Sequence, residues 1–103
     1  MFKAFLSHLP DPPARILWVG LNCHKGYRLL QESGFDMTTA TYTRENVNFP
    51  EGAVFEGVVF YQSAEYFPRL KRVLTETRRF LTDGGRIILC DALTEKSPVY
   101  AMK

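Results

Sequence analysis

The apolar positions of this chain change their spacing from segment to segment, and each change marks an element. Phe2, Phe5, Leu6 and Leu9 recur at i, i+3, i+4 and i+7, which predicts two turns of amphipathic helix over residues 2–9. Pro10, Pro12 and Pro13 follow at once. Each fixes its own φ and removes a backbone donor, so together they end that helix and form a stiff connector. Ile16 to Leu21 is a short apolar run containing Gly20, the pattern of a buried parallel strand. Tyr27 to Ser33 reads as a helix of two to three turns stopped by Gly34. Met37 to Thr43 is threonine-rich with aromatic character and predicts a second strand near a sheet edge. Arg44 to Ala53 is polar and carries Pro50 and Gly52, the composition of a loop.

The carboxyl half is more regular. Val54 or Phe55 to Tyr61 is a third apolar run. In the next segment Leu70, Val73, Leu74, Thr77 and Leu81 share one helical face, leaving Arg69, Lys71, Arg72, Arg78 and Arg79 outside. Asp83-Gly84-Gly85 closes this helix, and Arg86 to Cys90 is the last strand expected. Residues 94–103 show no period and are expected to be an irregular tail. Strands alternating with helices require right-handed crossovers. The expectation is therefore an α/β domain with a mainly parallel four-stranded sheet in the order 2-1-3-4, flanked by helices.

Composition narrows the picture modestly. A chain of 103 residues is expected to hold one domain. With 46% apolar residues and 14% aromatics, it has ample material for a core. A formal charge of +2, from 13 basic and 11 acidic side chains, gives no overall case for nucleic acid or an anionic membrane. Cys23 and Cys90 do not make a disulfide framework. No apolar run approaches the ~20 residues of a membrane span, and the first thirteen residues lack the apolar core of a secretory signal. A soluble, cytoplasmic setting is the expectation.

The segment Phe55 to Leu93 resembles the fourth strand, fourth helix and fifth strand of class I S-adenosylmethionine-dependent methyltransferases of the type 11 kind. Glu56 stands for the acid near the start of the fourth strand and Val58-Val59-Phe60 for its apolar body. Leu70 to Leu81 stands for the basic and leucine-patterned helix, and Gly84-Gly85-Arg86 for the glycine pair opening the fifth strand. Asn48-Phe49-Pro50-Glu51-Gly52 resembles the family's approach to the fourth strand. The resemblance covers roughly Arg15 to Leu93 and implies a shortened Rossmann-like, methyltransferase-like fold. It also implies a cofactor site in which Gly20, Asn22 and Gly26 line the methionine. Thr41 or Glu45 would approach the ribose, Asn46 the adenine, and Tyr61-Gln62-Ser63 the transferred methyl.

Departures from the family pattern bear directly on that site. Trp18 occupies the position of the first-strand acid, and Asn22 that of the second loop glycine. Gly26 aligns with the third only after a two-residue insertion. A side chain at a glycine position obstructs close backbone approach. No acid ends the second strand, where Thr41 and Tyr42 stand and Glu45 comes late. Loss of one charge-assisted hydrogen-bond pair costs on the order of 1.5–3 kcal/mol, or roughly 10- to 150-fold in affinity. About ten residues replace a helix, strand and loop before Phe55, and the chain ends before the antiparallel hairpin that closes the family's sheet. That end leaves open whether the natural product continues beyond Lys103. A bare edge invites pairing with another chain. The expected function is therefore a non-catalytic methyltransferase-like module that associates with itself or a protein partner, through the sheet edge or the aromatic amino-terminal helix. No catalytic residue is assigned and no cofactor is expected. The alternative is a working S-adenosylmethionine-dependent methyltransferase with an unknown acceptor.

Other chemistries are less well supported. Cys23-His24 and Cys90-Asp91 both fall at carboxyl ends of strands, where open α/β sheets bind ligands. The intervening strand separates the two cysteines by about 10 Å at ~4.8 Å per strand, so neither a disulfide nor a metal site is expected. His8 and His24 lack a nucleophile on a recognisable turn, which disfavours a hydrolase triad. The basic helix face bearing Arg69, Arg72 and Arg79 reads first as a solvated surface.

Overall fold

The central strands are apolar on both sides, and the fold buries both. Ile16 and Trp18 face one side of the sheet while Leu17 and Val19 face the other, all four without exposed surface. This period of two is what a parallel strand covered on both faces requires. The computed structural model describes residues 7–20, 25–61, 63 and 66–90, together with the backbone of 99–102. Along the chain run β1 (Arg15–Val19), α1 (Lys25–Glu32), β2 (Asp36–Thr39), β3 (Phe55–Tyr61), α2 (Leu70–Thr77), β4 (Leu81–Cys90) and β5 (Val99–Met102). A short 3₁₀ turn, Arg78–Phe80, joins α2 to β4.

The sheet order is β2-β1-β3-β4-β5. The first three pairings are parallel and the last is antiparallel. Leu30 of α1 and Phe35 pack with Trp18, Val59, Tyr61, Ile88 and Cys90 on one face, here the α1 face. Val73 of α2, with Phe67 and Val47, packs with Leu17, Val19, Val58, Phe60 and Ile87 on the α2 face. Each such fully buried apolar side chain is worth about 1.5–3 kcal/mol relative to exposure. The buried Thr77 hydroxyl donates to the Val73 carbonyl at 2.7 Å, so the polar group facing the core from α2 is satisfied.

The α/β architecture and the strand order 2-1-3-4 agree with the sequence reading. Three boundaries differ. The helix expected to run through Leu81 ends at Thr77, because Leu81 leaves helical geometry and pairs with Phe55 in the sheet. An apolar residue at that spacing serves a helix face or a strand equally well, and tertiary pairing decides. Between the pairs Phe55–Leu81 and Gly57–Arg86 the register shifts, and the extra residues of β4 bulge out around Gly84, whose φ is +77°. The second strand ends at Thr39, and Thr41 to Asn48 fold back on themselves instead of extending it.

The third difference concerns the chain's end. The irregular tail expected over 94–103 contains β5, which lies against the outer side of β4 from Ile87 to Cys90. The sheet thus has five strands, and β5 covers the outer edge of β4 from Ile87 to Cys90. On the other side β2 is outermost, four residues long and polar. The amino-terminal helix predicted for residues 2–9 falls mostly outside the described residues. Within it, Leu9 is buried against the α1 face. No helix among the described residues is long and apolar enough to cross a membrane.

Candidate functional site at the carboxyl ends of the central strands

Parallel α/β sheets expose a crevice at the carboxyl ends of their strands, where the chain leaves in opposite directions for the two helical layers. Here β1 and β3 end side by side, with Val19 opposite Phe60. Gly20 follows with φ +156°, and a Cβ built on it would stand 2.5 Å from the Tyr61 carbonyl oxygen. Only glycine fits so close to that backbone. The Ser63 hydroxyl, itself buried, reaches across and donates to the Val19 carbonyl at 2.7 Å. The two strand ends are thereby drawn together.

Trp18, next to last in β1, is fully buried. Its ring stacks on Tyr61 with centroids 5.1 Å apart and planes at 24°, and meets Tyr27 of α1 edge-on at 5.8 Å. Aromatic pairs in these geometries add about 0.5–1.5 kcal/mol beyond burial. The α1 side of the crevice is therefore filled by three rings. Tyr61, expected beside a transferred methyl, is 3% exposed and belongs to this stack.

The remaining positions read from sequence are divided between the two faces. Gly26 is buried in the first turn of α1. Thr41, Glu45 and Asn46 lie in a hairpin in which Tyr42 bridges Val47 and the Asn48 amide donates to the Thr41 carbonyl at 2.9 Å. The Asn46 side-chain oxygen accepts from the Val47 amide at 2.9 Å, and the Asn48 amide group donates to the Thr41 hydroxyl at 3.3 Å. Val47 and Tyr42 anchor this hairpin on the α2 face. Tyr42 packs against Phe67 at 5.7 Å and edge-on against Tyr66 at 5.5 Å. Gly26 and Tyr61 thus belong to one side of the sheet, and Thr41, Glu45 and Asn46 to the other. Asn22, Cys23, His24, Gln62 and Asp91 lie outside the described residues.

Two depressions mark the surface near these elements. One of about 420 Å³ is bordered, among the described residues, by Lys25, Arg28, Leu29 and Glu32 of α1. The other, about 240 Å³, is shared between the hairpin and the entry to α2, and is lined by Arg44, Glu45, Pro68, Arg69 and Arg72. Sequence reading singled out Arg69 and Arg72 on their helix but had no signal for Arg44, which only the fold of the hairpin brings beside them. Cys90 is buried on the α1 face. Among the described residues no group of three His, Cys, Asp or Glu side chains could hold a metal ion.

No protein-family model matches the chain, and no curated protein matches it in sequence.

Proposed function

We infer that this domain is a non-catalytic, methyltransferase-like module whose work is association, with itself or with a protein partner. The observation that carries this reading is the Trp18 stack. A small-molecule cofactor in an open α/β sheet needs a preformed crevice with a few convergent polar groups. Here an indole fills the acid's place, two tyrosine rings pack on it, and Ser63 spends its hydroxyl on the Val19 carbonyl. The hairpin bearing Glu45 and Asn46 is held on the opposite face, which supports the same reading.

Association would use surfaces away from the stack. The outer edge of β2 is one, although its shortness and its Asp36–Arg15 ion pair blunt it against indiscriminate pairing. Val54 and Tyr66, large apolar side chains 46% and 49% exposed, offer others.

The test is a thermal-shift titration with S-adenosylmethionine and S-adenosylhomocysteine, paired with sedimentation velocity at micromolar protein. The expected result is no shift at millimolar ligand, together with a concentration-dependent oligomer or a partner recovered in stoichiometric amount. Ligand at 100 times its dissociation constant stabilises by about 2.7 kcal/mol, which in a domain of this size raises the midpoint by roughly 10–20 °C. A saturable shift of that size would reverse the reading in favour of an enzyme.

A further inference from the structure

The depression between the hairpin and α2 is lined by three arginines from two segments far apart in sequence. Arg44 comes from the turn of the hairpin, Arg69 and Arg72 from the start of α2. All three are exposed. Among the described residues the ion pairs are Arg15–Asp36 and Arg79–Glu76, and none of these three arginines takes part in one. Among the described residues of the lining Glu45 is the one acid, so three arginines and one glutamate give these residues a formal charge of +2. Holding three like charges around a shared hollow costs repulsion in the empty protein, and an oxyanion placed among them removes that cost.

The hairpin's position is fixed by packing. Tyr42, two residues before Arg44, is wedged against Tyr66 and Phe67, which lead into Pro68 and Arg69. The ring contacts set the two walls of the hollow relative to one another, so the three arginines rise from a braced backbone. Planar guanidinium forks match the oxygens of phosphate two at a time.

We propose that the hollow lined by Arg44, Arg69 and Arg72 binds the phosphate group of a small phosphomonoester or diphosphate. Size supports that class. At about 240 Å³ the hollow equals the liquid share of about eight waters and falls below the ~300 Å³ at which sites for whole drug-sized ligands begin. It accommodates a phosphate head and the first atoms attached to it, with the rest of the ligand in solvent. The site lies on the α2 side, away from the Trp18 stack, and stands independently of whether the filled crevice ever held a cofactor.

The experiment is an amide NMR titration of the full chain with inorganic pyrophosphate, at constant ionic strength maintained with sodium chloride. The expected result is saturable perturbation confined to Thr43–Glu45 and Arg69–Val73, weakened at least tenfold in the Arg44→Gln, Arg72→Gln double variant. Both side chains are exposed, and an unchanged circular dichroism melt of that variant verifies its fold. Perturbations spread equally over Arg28, Arg78, Arg79 and Arg86 would overturn the proposal in favour of general screening. Undiminished binding by the double variant would overturn it as well. A parallel titration with a short single-stranded oligonucleotide separates the sources of phosphate. Tighter binding of pyrophosphate supports the small-ligand site, and binding of the oligonucleotide alone would overturn it.

Discussion

The Ser63 hydroxyl donates to the Val19 carbonyl at 2.7 Å, across 44 residues of sequence and within the core. This bond holds the chain just beyond β3 to the last residue of β1, at the point where an open sheet would otherwise part to admit a ligand. Replacing Ser63 with alanine leaves a buried carbonyl short of a donor, at a cost of about 1–3 kcal/mol. The expected outcome is a melting midpoint lower by on the order of 10 °C, measured by calorimetry, with no change in oligomeric state.

Gly20 and Gly52 make a matched pair for separating crowding from backbone conformation. Both have positive φ, but an added Cβ at Gly52 meets nothing within 4 Å, whereas at Gly20 it meets the Tyr61 carbonyl. Gly52→Ala should lose about 1–2 kcal/mol, the penalty for an L-residue at positive φ. Gly20→Ala should lose about 1–3 kcal/mol more, from forced displacement of the β3 backbone. Urea denaturation of the two variants side by side checks the ordering, and equal losses would refute the crowding argument.

Arg15 and Asp36 approach to 3.7 Å, with side chains 50% and 64% exposed. Solvent screening leaves such a pair worth little, about 0–1 kcal/mol. Asp36→Asn should therefore shift the midpoint by no more than a few degrees, and by less as salt is raised. What holds β2 in place is its hydrogen-bonded register with β1, from Arg15 opposite Asp36 to Trp18 opposite Thr39.

Removal of residues 98–103 strips β5 from β4 and leaves the outer edge of Ile87 to Cys90 unpaired along an apolar strand that stays paired with β3 on its inner side. An edge of that kind templates intermolecular pairing. Light scattering on the shortened chain should show concentration-dependent aggregation where the full chain remains clear. A shortened chain as clear as the full one would mean that β5 is dispensable cover.

These features differ in how far the sequence revealed them. Val58, Val59 and Phe60, and Ile87 to Cys90, are continuous apolar runs, and such runs announce strands buried on both faces without help from context. Leu81 misled because its spacing from Thr77 and Leu74 also suits a helix. Only its pairing with Phe55 decides the matter. Val99 to Met102 has no polar alternation and only four residues, too little for a period to emerge, so its partner β4 had to define it. For the candidate site, a tryptophan within the apolar run of β1 was visible in the sequence. Its contact with Tyr61 was not, since it depends on a register that sets Trp18 opposite Val59 and Tyr61 one step further along the same face. Arg44 joined Arg69 and Arg72 for the same reason: proximity made by a turn and three rings, with no trace in linear spacing.

The single tryptophan of this chain sits buried on β1, between two tyrosines. That placement gives the molecule an internal optical gauge. Light absorbed by Tyr61 or Tyr27 passes to one indole shielded from water, so its emission reads the integrity of the α1 layer without any attached dye. A loosening of α1 would let water reach the indole, and its emission would move to the red in a single unmodified sample.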